Sequence, residues 1–331
     1  MWGTDAFSPI DHLNDNLIEF NEFGVFSKFD QILSRYIFNG HSTFSRELTI
    51  FFHSLKSCNF YSVSGPCSLN LHLAKTNLFA WVFRAPIGKQ SILSPFHPSN
   101  LRKHSGFLCL TPNAEKFFSQ YAPSKFIPWC VDLDMFNGKS PREKPAKDFF
   151  LATGKTGRDY HTLIEAAYRT EAEIRIIGPK HQKPFDIPEN VRWIDSSMNP
   201  PDQAIDYPTL REWYAQCIAV CIPLSGDADD TCGYTNMLEA MAMRKPVLIT
   251  KSGCLHINPE IDGFGIQIKP RDSQGWSHAL NYMLSNHEKT LAMGNRGREI
   301  VEHDFTIERF NNDVSHFIKN ISTNKSFPSL F

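Results

Sequence analysis

Residues 149–178, FFLATGKTGRDYHTLIEAAYRTEAEIRIIG, read as a strand, a polar loop, a helix and a second strand. FFLAT is a continuous apolar run of the length a buried parallel strand uses. RDYHTLIEAAYR gives Leu163, Ile164 and Ala167 helical spacing, and EIRIIG returns to a strand-like apolar pattern. The rhythm then continues. VRWID (191–195) and IAVCIPL (218–224) read as strands around the helix TLREWYAQC (209–217), and a further helix opens at Gly233. PVLIT (246–250) and GFGIQIKP (263–270) are the next strands, followed by three helical stretches to about Ile321. Short apolar strands alternating with helices predict a parallel sheet covered on both faces, a doubly wound α/β fold.

The first half is less regular. FDQILS (29–34), NFYSVS (59–64), LFAWVFRAP (78–86), FLCLTP (107–112) and KFIPWCVD (125–132) read as strands, with AEKFFSQY (114–121) as a helix. NGKSPREKPAK (137–147) is polar, basic and punctuated by proline, as a linker is. Two Rossmann-like domains joined there are the expected architecture. Their ranges are 1–140 and 141–312, with a helix and tail at 313–331 that could return to the first domain.

Composition narrows the function. The chain has 331 residues, 41% hydrophobic and 21% charged, with a formal net charge of −1. That length suits two domains, and the near-neutral charge argues against a nucleic-acid partner. No apolar run approaches the roughly 20 residues of a membrane span. The N-terminus MWGTDAFSPIDHLNDN lacks the basic start and apolar core of a secretory signal, so a cytoplasmic location is expected. Eight cysteines include no CxxC pair and fall partly in strand-like runs, as reduced core thiols do.

Two loops carry the candidate chemistry. TGKTGRDY (153–160) follows a strand and offers Gly154 and Gly157 for close backbone approach, with Lys155 as a point charge and Arg158 as a fork. That set suits a diphosphate, although a glycine-rich turn with solvated cations is also common. It is not a Walker loop, since no GK[ST] opens the helix. The second loop, SGDADDTCGYTN (225–236), leads into the helix GYTNMLEAMA, where Gly233, Thr235 and Asn236 can present backbone N–H groups to an anion. Glu239 is either a solvated helix residue or a buried carboxylate that accepts ribose hydroxyls. Both loops leave the same edge of the sheet, which favours a site. Asp227–Asp230 (DADD) could hold a divalent metal, but a solvated acidic loop is the better reading, and no metal is expected.

The second half, from FFLATGKTGRDYHTLIEAA through GYTNMLEAMAMRKPVLIT and IDGFGIQIKPRD to MGNRGREIVEHDFTIERF, resembles glycosyltransferase family 4, the retaining sugar transferases of GT-B fold. FLCLTPNAEKFFSQYAPSKFIPWCVDLDMF (107–136) looks like the end of that family's N-terminal domain. The resemblance implies two Rossmann-like domains with parallel sheets facing across a cleft, and a nucleoside-diphosphate sugar donor with no metal or other cofactor. By the same resemblance Arg158 and Lys155 meet the donor diphosphate, joined by Gly154 and Gly157. Gly233, Tyr234, Thr235 and Asn236 form the phosphate-facing helix start, and Glu239 is the ribose-binding second glutamate of the E-x7-E pattern. Arg158, Lys155 and Glu239 are therefore the expected catalytic set.

The pattern is not complete. Thr231 stands at the place of the first glutamate, with Asp230 beside it. Arg244 stands where the family carries a helix-ending glycine, and Arg84 in WVFRAP stands where relatives often carry histidine on the acceptor side. The acceptor, a glycan, lipid or small molecule, is not identified. The basic cluster LRKH (Arg102, Lys103, His104) suggests peripheral contact with the inner membrane face, or simply a solvated face. Departures at Thr231 and Arg244 also motivate a non-catalytic GT-B protein that binds a nucleotide sugar or a partner.

Overall fold

The computed structural model describes residues 34–36, 38, 42, 44–54, 59–63, 65–68, 76–139, 148–196, 206–226, 231–251 and 256–324. Most of the linker at 137–147, the acidic run Asp227–Asp230 and residues 29–33 of the FDQILS stretch lie outside the described residues, and Ser34 is helical. The described residues divide into two compact units, one within Met1–Pro128 and Glu308–Phe331, the other within Trp129–Ile307.

In the first unit, α1 (Phe44–Ser54) precedes β1 (Asn59–Ser62) and β2 (Asn77–Val82). The helical turn α2 (Pro98–Leu101), β3 (Gly106–Cys109), α3 (Pro112–Phe118) and β4 (Ser124–Phe126) follow. The four strands are parallel in the order β1-β2-β3-β4. Helix α3 is set by its cap: Thr111 accepts the Ala114 N–H at 3.1 Å and Pro112 takes the first turn, where a missing N–H costs nothing. In the sheet of this unit KFIPWCVD contributes only to β4, because Pro128 has no N–H to continue the ladder.

Two features of this unit depart from the sequence reading. Helix α1 was not anticipated, since FSRELTIFFHS is rich in aromatic and β-branched residues. It is tied down by fully buried Glu47, which accepts from Ser42 Oγ (2.6 Å), the Ser68 N–H (2.7 Å) and Arg46 Nη1 (3.0 Å). His104 is not a surface cation of the LRKH cluster. It is buried, Nδ1 lies 3.0 Å from the Asn100 carbonyl, and Nε2 accepts the Cys67 N–H at 3.2 Å. Burial pushes its pKa down to about 4, so it is neutral at physiological pH.

The second unit runs β5 (Phe149–Thr153), α4 (Tyr160–Ala167), β6 (Glu173–Gly178), β7 (Val191–Asp195), α5 (Tyr207–Gln216) and β8 (Val220–Ile222). It continues with α6 (Tyr234–Ala242), β9 (Val247–Thr250), β10 (Gly265–Ile268), α7 (Ser273–Ser285) and α8 (His287–Asp304). Its six strands are parallel in the order β10-β9-β8-β5-β6-β7. The chain builds outward from β5 to β7, then returns to the other side of β5 to lay down β8. The order therefore reverses between β5 and β8, and the loops leaving their carboxyl ends diverge around a crevice where ligands bind in such sheets. Helices α4, α5 and α7 are capped by acidic side chains: Asp159 on Thr162, Asp206 on Thr209 and Asp272 on Gly275. Helix α6 is braced at its far end by Arg298 of α8, whose Nη1 donates to the Ala242 carbonyl (2.7 Å) and the Phe136 carbonyl (2.8 Å). A cation at the negative end of a helix is favourable, and here it also fixes where the helix points.

The last helix, α9 (Ile307–Asn324), packs on the sheet of the first unit. Phe310 meets Trp81 edge-on at 5.3 Å between ring centroids, and Phe317 meets Phe79 at 6.3 Å. Arg309 Nη2 donates to the Pro128 carbonyl at 2.8 Å. The divides at Pro128/Trp129 and Ile307/Glu308 lie N-terminal to the sequence boundaries at 140/141 and 312/313. Residues 129–136 belong with the second unit because the Val131 N–H donates to Phe305 O (2.9 Å) and Arg298 holds Phe136 O. Six described cysteines are free thiols and five of them are buried. No described helix is long and apolar enough to cross a membrane.

Candidate functional site

Strand β5 delivers the loop 154–159 and β8 delivers the loop that leads to α6, so the two loops singled out in the sequence leave adjacent strands. They are stitched together by backbone. The Asp159 N–H donates to Pro223 O (3.0 Å), the Ser225 N–H donates to Gly157 O (3.1 Å), and Arg158 forms an isolated antiparallel bridge with Leu224.

Arg158 makes the side-chain connection. Its Nε donates to Thr153 O (3.1 Å), Nη1 to Thr156 O (2.9 Å) and Nη2 to Asn236 Oδ1 (2.5 Å). The guanidinium lies over Gly154, which sits at φ +134°, and a Cβ there would collide with it. Glycine is thus required twice over at 154, by conformation and by space. Three of the five guanidinium N–H donors are engaged among the described residues, and the fork is held rigidly rather than trailing in solvent.

The mouth of α6 is equally constrained. Gly233 is the N-cap at φ +85°, and a Cβ would stand 2.5 Å from Ile222 Cγ2. Having no side chain, Gly233 supplies no capping hydrogen bond, so the helix opens without a side-chain cap at that residue. Thr235 and Asn236 in the first turn are half-buried. Tyr234 is buried, with its ring against His256 and Phe305 and its hydroxyl 3.4 Å from His256 Nδ1. Its N–H donates to Thr231 O at 3.2 Å. Tyr234 therefore anchors the helix, and its side chain does not face the loop as Asn236 does.

Glu239 is buried, 3% exposed, which excludes the solvated-helix reading. Its Oε2 accepts from the Tyr214 hydroxyl at 2.7 Å and lies 3.5 Å from Asn236 Nδ2. Asn236 Nδ2 also donates to the Tyr214 oxygen at 3.2 Å. A continuous network thus runs from the Arg158 guanidinium through the Asn236 amide to Tyr214 and Glu239. Burial pushes the Glu239 carboxyl up to about 7, against the pull of the hydrogen bonds from Tyr214 and Asn236. Its own burial, and after that the same carboxylate, hold the Tyr214 phenol well above its usual range. Tyr214 was not foreseen. It reads as an ordinary apolar position of TLREWYAQC, and no spacing rule links it to a residue on another helix.

The remaining candidates are placed as follows. Lys155 is exposed in the β5 loop, where its carbonyl accepts from Gln182 Nε2 at 2.8 Å. Gly157 sits at φ +64° in the same loop. Arg84 is exposed in the first unit just after β2. Thr231 is half-buried, one residue beyond the undescribed acidic run. Arg244, in the place of the expected glycine, holds φ +57° and closes α6, with the Lys245 N–H donating to Ala240 O at 2.8 Å.

Most of the first loop, the whole of the second, α6 and the side chains of the hydrogen-bond network lie inside one recognisable stretch. Residues 155–286 match the family model described as Glycosyl transferases group 1. This group 1 region carries Arg158, Tyr214, Asn236 and Glu239. No curated protein matches the chain in sequence.

Solved glycosyltransferases of low identity share the fold. A glycosyltransferase from Rickettsia africae has a TM-score of 0.64 at 12% identity, over 96% of this chain and 87% of its own. Sucrose-phosphate synthase from Thermosynechococcus elongatus has a TM-score of 0.63 at 13% identity, over 95% and 83%. Anabaena Alr3699/HepE, solved in complex with UDP, has a TM-score of 0.59 at 15% identity, over 83% and 82%. The chain has the GT-B fold, with one parallel sheet in each unit and the group 1 region in the second.

Proposed function

We propose that the protein is a glycosyltransferase that moves a sugar from a nucleoside-diphosphate sugar to an acceptor. The observation that carries this reading is the bond between Arg158 and Asn236, which fixes a guanidinium beside the mouth of α6 at the switch point of the sheet. A diphosphate there meets a fixed fork, the Lys155 point charge and the positive end of a helix. As the sugar departs, negative charge grows on the diphosphate, and groups already aimed at that charge need no reorganisation to stabilise it. No protein nucleophile is needed if the departing phosphate takes the acceptor proton on the face that the sugar leaves, which is the retaining outcome. The cations serve the role a metal would otherwise fill, so the transfer is proposed to be metal-independent.

Glu239 is proposed to hold the ribose. Its Oε2 belongs to Tyr214, which leaves Oε1 to accept a hydroxyl, and no described residue donates to that atom. UDP is the first nucleotide to try, since the fold-sharing Anabaena protein was solved with UDP and with UDP-glucose. The acceptor is a glycan, a lipid-linked molecule or a small molecule.

A thermal-shift series with UDP, GDP and ADP, followed by donor hydrolysis and transfer assays with the corresponding sugars, tests the reading. Stabilisation by a nucleoside diphosphate together with turnover supports it, and no stabilisation by any of them overturns it. Stabilisation without turnover would instead favour a non-catalytic nucleotide-sugar-binding protein, to which Thr231 in the place of a carboxylate points.

A further inference from the structure

The carboxylates of this chain are unevenly spread. Residues 48–114 contain no aspartate or glutamate but six cations, Lys56, Lys75, Arg84, Lys89, Arg102 and Lys103, in a protein whose overall formal charge is −1. The exposed apolar side chains concentrate in the same segment. Of the twelve exposed large hydrophobics among the described residues, four (Phe83, Ile87, Ile92 and Leu93) fall within residues 83–93, with Ile87 at 77% and Ile92 at 69% exposure. Scattered exposed leucines or isoleucines need no explanation, but a run of them on one loop marks an interaction surface.

This loop is held in shape from within. Buried Asn100, in α2, donates from Nδ2 to Ile92 O (3.1 Å) and Ser94 O (2.9 Å). Gln90 Nε2 donates to Ile87 O (3.1 Å), and Ser94 Oγ donates to Gln90 Oε1 (2.9 Å). Buried Asn100 and Ser94 brace the segment from within, Gln90 braces it from a partly exposed position, and the isoleucines are left outside. Arg84 and Lys89, both exposed, stand among them. A nucleic acid would call for several rings on which bases stack, and residues 83–93 carry one, Phe83, whereas aliphatic side chains interleaved with cations fit acyl chains below anionic headgroups.

We propose that residues 83–93 are a docking element for an anionic lipid bilayer, with Ile87, Ile92 and Leu93 entering the interface and Arg84 and Lys89 meeting the headgroups. The site differs from the LRKH cluster suggested by the sequence, because His104 is buried and neutral. It does not depend on the donor chemistry of the second unit.

Flotation of the full chain with vesicles tests it. The protein is expected to float with phosphatidylcholine vesicles that contain phosphatidylglycerol, less so as salt is raised, and not with phosphatidylcholine alone. Ile87→Asp combined with Ile92→Asp should weaken partitioning about a hundredfold or more, since two buried side chains are lost and two repelling charges gained. Lys89→Gln should weaken it about fivefold, the effect of one cation at an anionic surface. The melting temperature and the UDP-induced shift of both variants should match the wild type, which separates lost docking from lost folding. No flotation, equal flotation with neutral vesicles, or undiminished flotation of the double variant would overturn the proposal. So would retention on heparin without flotation, which would make the segment a polyanion surface. A chain that floats yet ignores every nucleoside diphosphate would leave the docking element standing and sink the donor reading instead.

Discussion

Arg158 Nη2 donates to Asn236 Oδ1 at 2.5 Å, closing a gap of 78 residues in sequence. The bond joins the loop after β5 to the first turn of α6, and through Asn236 it reaches the buried pair Tyr214 and Glu239. The guanidinium proposed to meet the diphosphate at one end of this network is therefore linked to the carboxylate proposed to bind a sugar hydroxyl at the other.

That linkage predicts non-additivity. Arg158→Ala should weaken UDP binding by one to two powers of ten, about 1.5–3 kcal/mol for a charged hydrogen-bond partner. Asn236→Ala should cost less. In the double variant the two effects should fail to add by about 0.5 kcal/mol or more, because each single change already frees the other group. Calorimetric titration of the four proteins measures this, and strict additivity would mean that the bond does not bear on the ligand.

Glu239 predicts how stability depends on pH. Burial raises its folded-state pKa to about 7 from the ordinary 4.5, so between those values the folded protein holds a proton that the unfolded chain releases. The contribution is complete below about 4.5 and is lost as pH rises through about 7, amounting to about 3 kcal/mol. Denaturant melts of wild type and Glu239→Gln at pH 5 and pH 8 should show the wild type losing more stability, by an amount of that order. Equal slopes would place the carboxyl in water.

His104 acts with the opposite sign. Burial lowers its pKa from 6.5 to about 4, so the unfolded chain gains a proton below 6.5 that the folded protein refuses. Stability supported by the neutral ring is present above 6.5 and lost as pH falls towards about 4. An NMR titration should find one imidazole unchanged from pH 8 down to pH 5, and an imidazole set that titrates entirely near 6.5 would contradict the burial.

Tyr214→Phe removes a hydrogen bond that favours the ionised Glu239, and so should raise that pKa further. UDP binding at pH 7 should weaken about tenfold, as loss of one charge-assisted bond does, and should recover in part at pH 8.5 as the carboxyl ionises again. A loss of equal size at both values would mean that the tyrosine acts by packing alone.

Arg244 tests a helix end. It holds φ +57° on an exposed turn, where a side chain is strained and glycine is not. Arg244→Gly should raise stability by about 0.5–1 kcal/mol in thermal or denaturant melts and leave UDP affinity unchanged. Destabilisation would show that the bond from Arg244 Nη1 to Asn295 Oδ1 (3.2 Å) outweighs the strain.

What the sequence by itself determined is local. Apolar runs such as FFLAT and VLIT specify buried parallel strands, Asp159, Asp206 and Asp272 specify where helices begin, and Gly154 and Gly233 mark backbone that no other residue adopts freely. These properties reside in a few consecutive residues, so the alternating architecture and both loops of the candidate site could be read directly. Helix α1 escaped because its aromatic and β-branched residues hide the helical period, and its anchor, Glu47, is paired with Ser68 on a separate segment.

Tertiary structure decided whatever depends on which strands become neighbours. β8 could have been laid beside β7, where its loop would open far from Arg158; instead it lies against β5, and only then does Asn236 come within reach. The same placement buries Glu239 against Tyr214 and turns a helix-surface carboxylate into one that titrates near neutrality. It is also packing, not pattern, that carries α9 onto the first unit's sheet and removes His104 from the surface. A side chain's solvation is set by atoms distant in the chain, and sequence spacing carries no record of them.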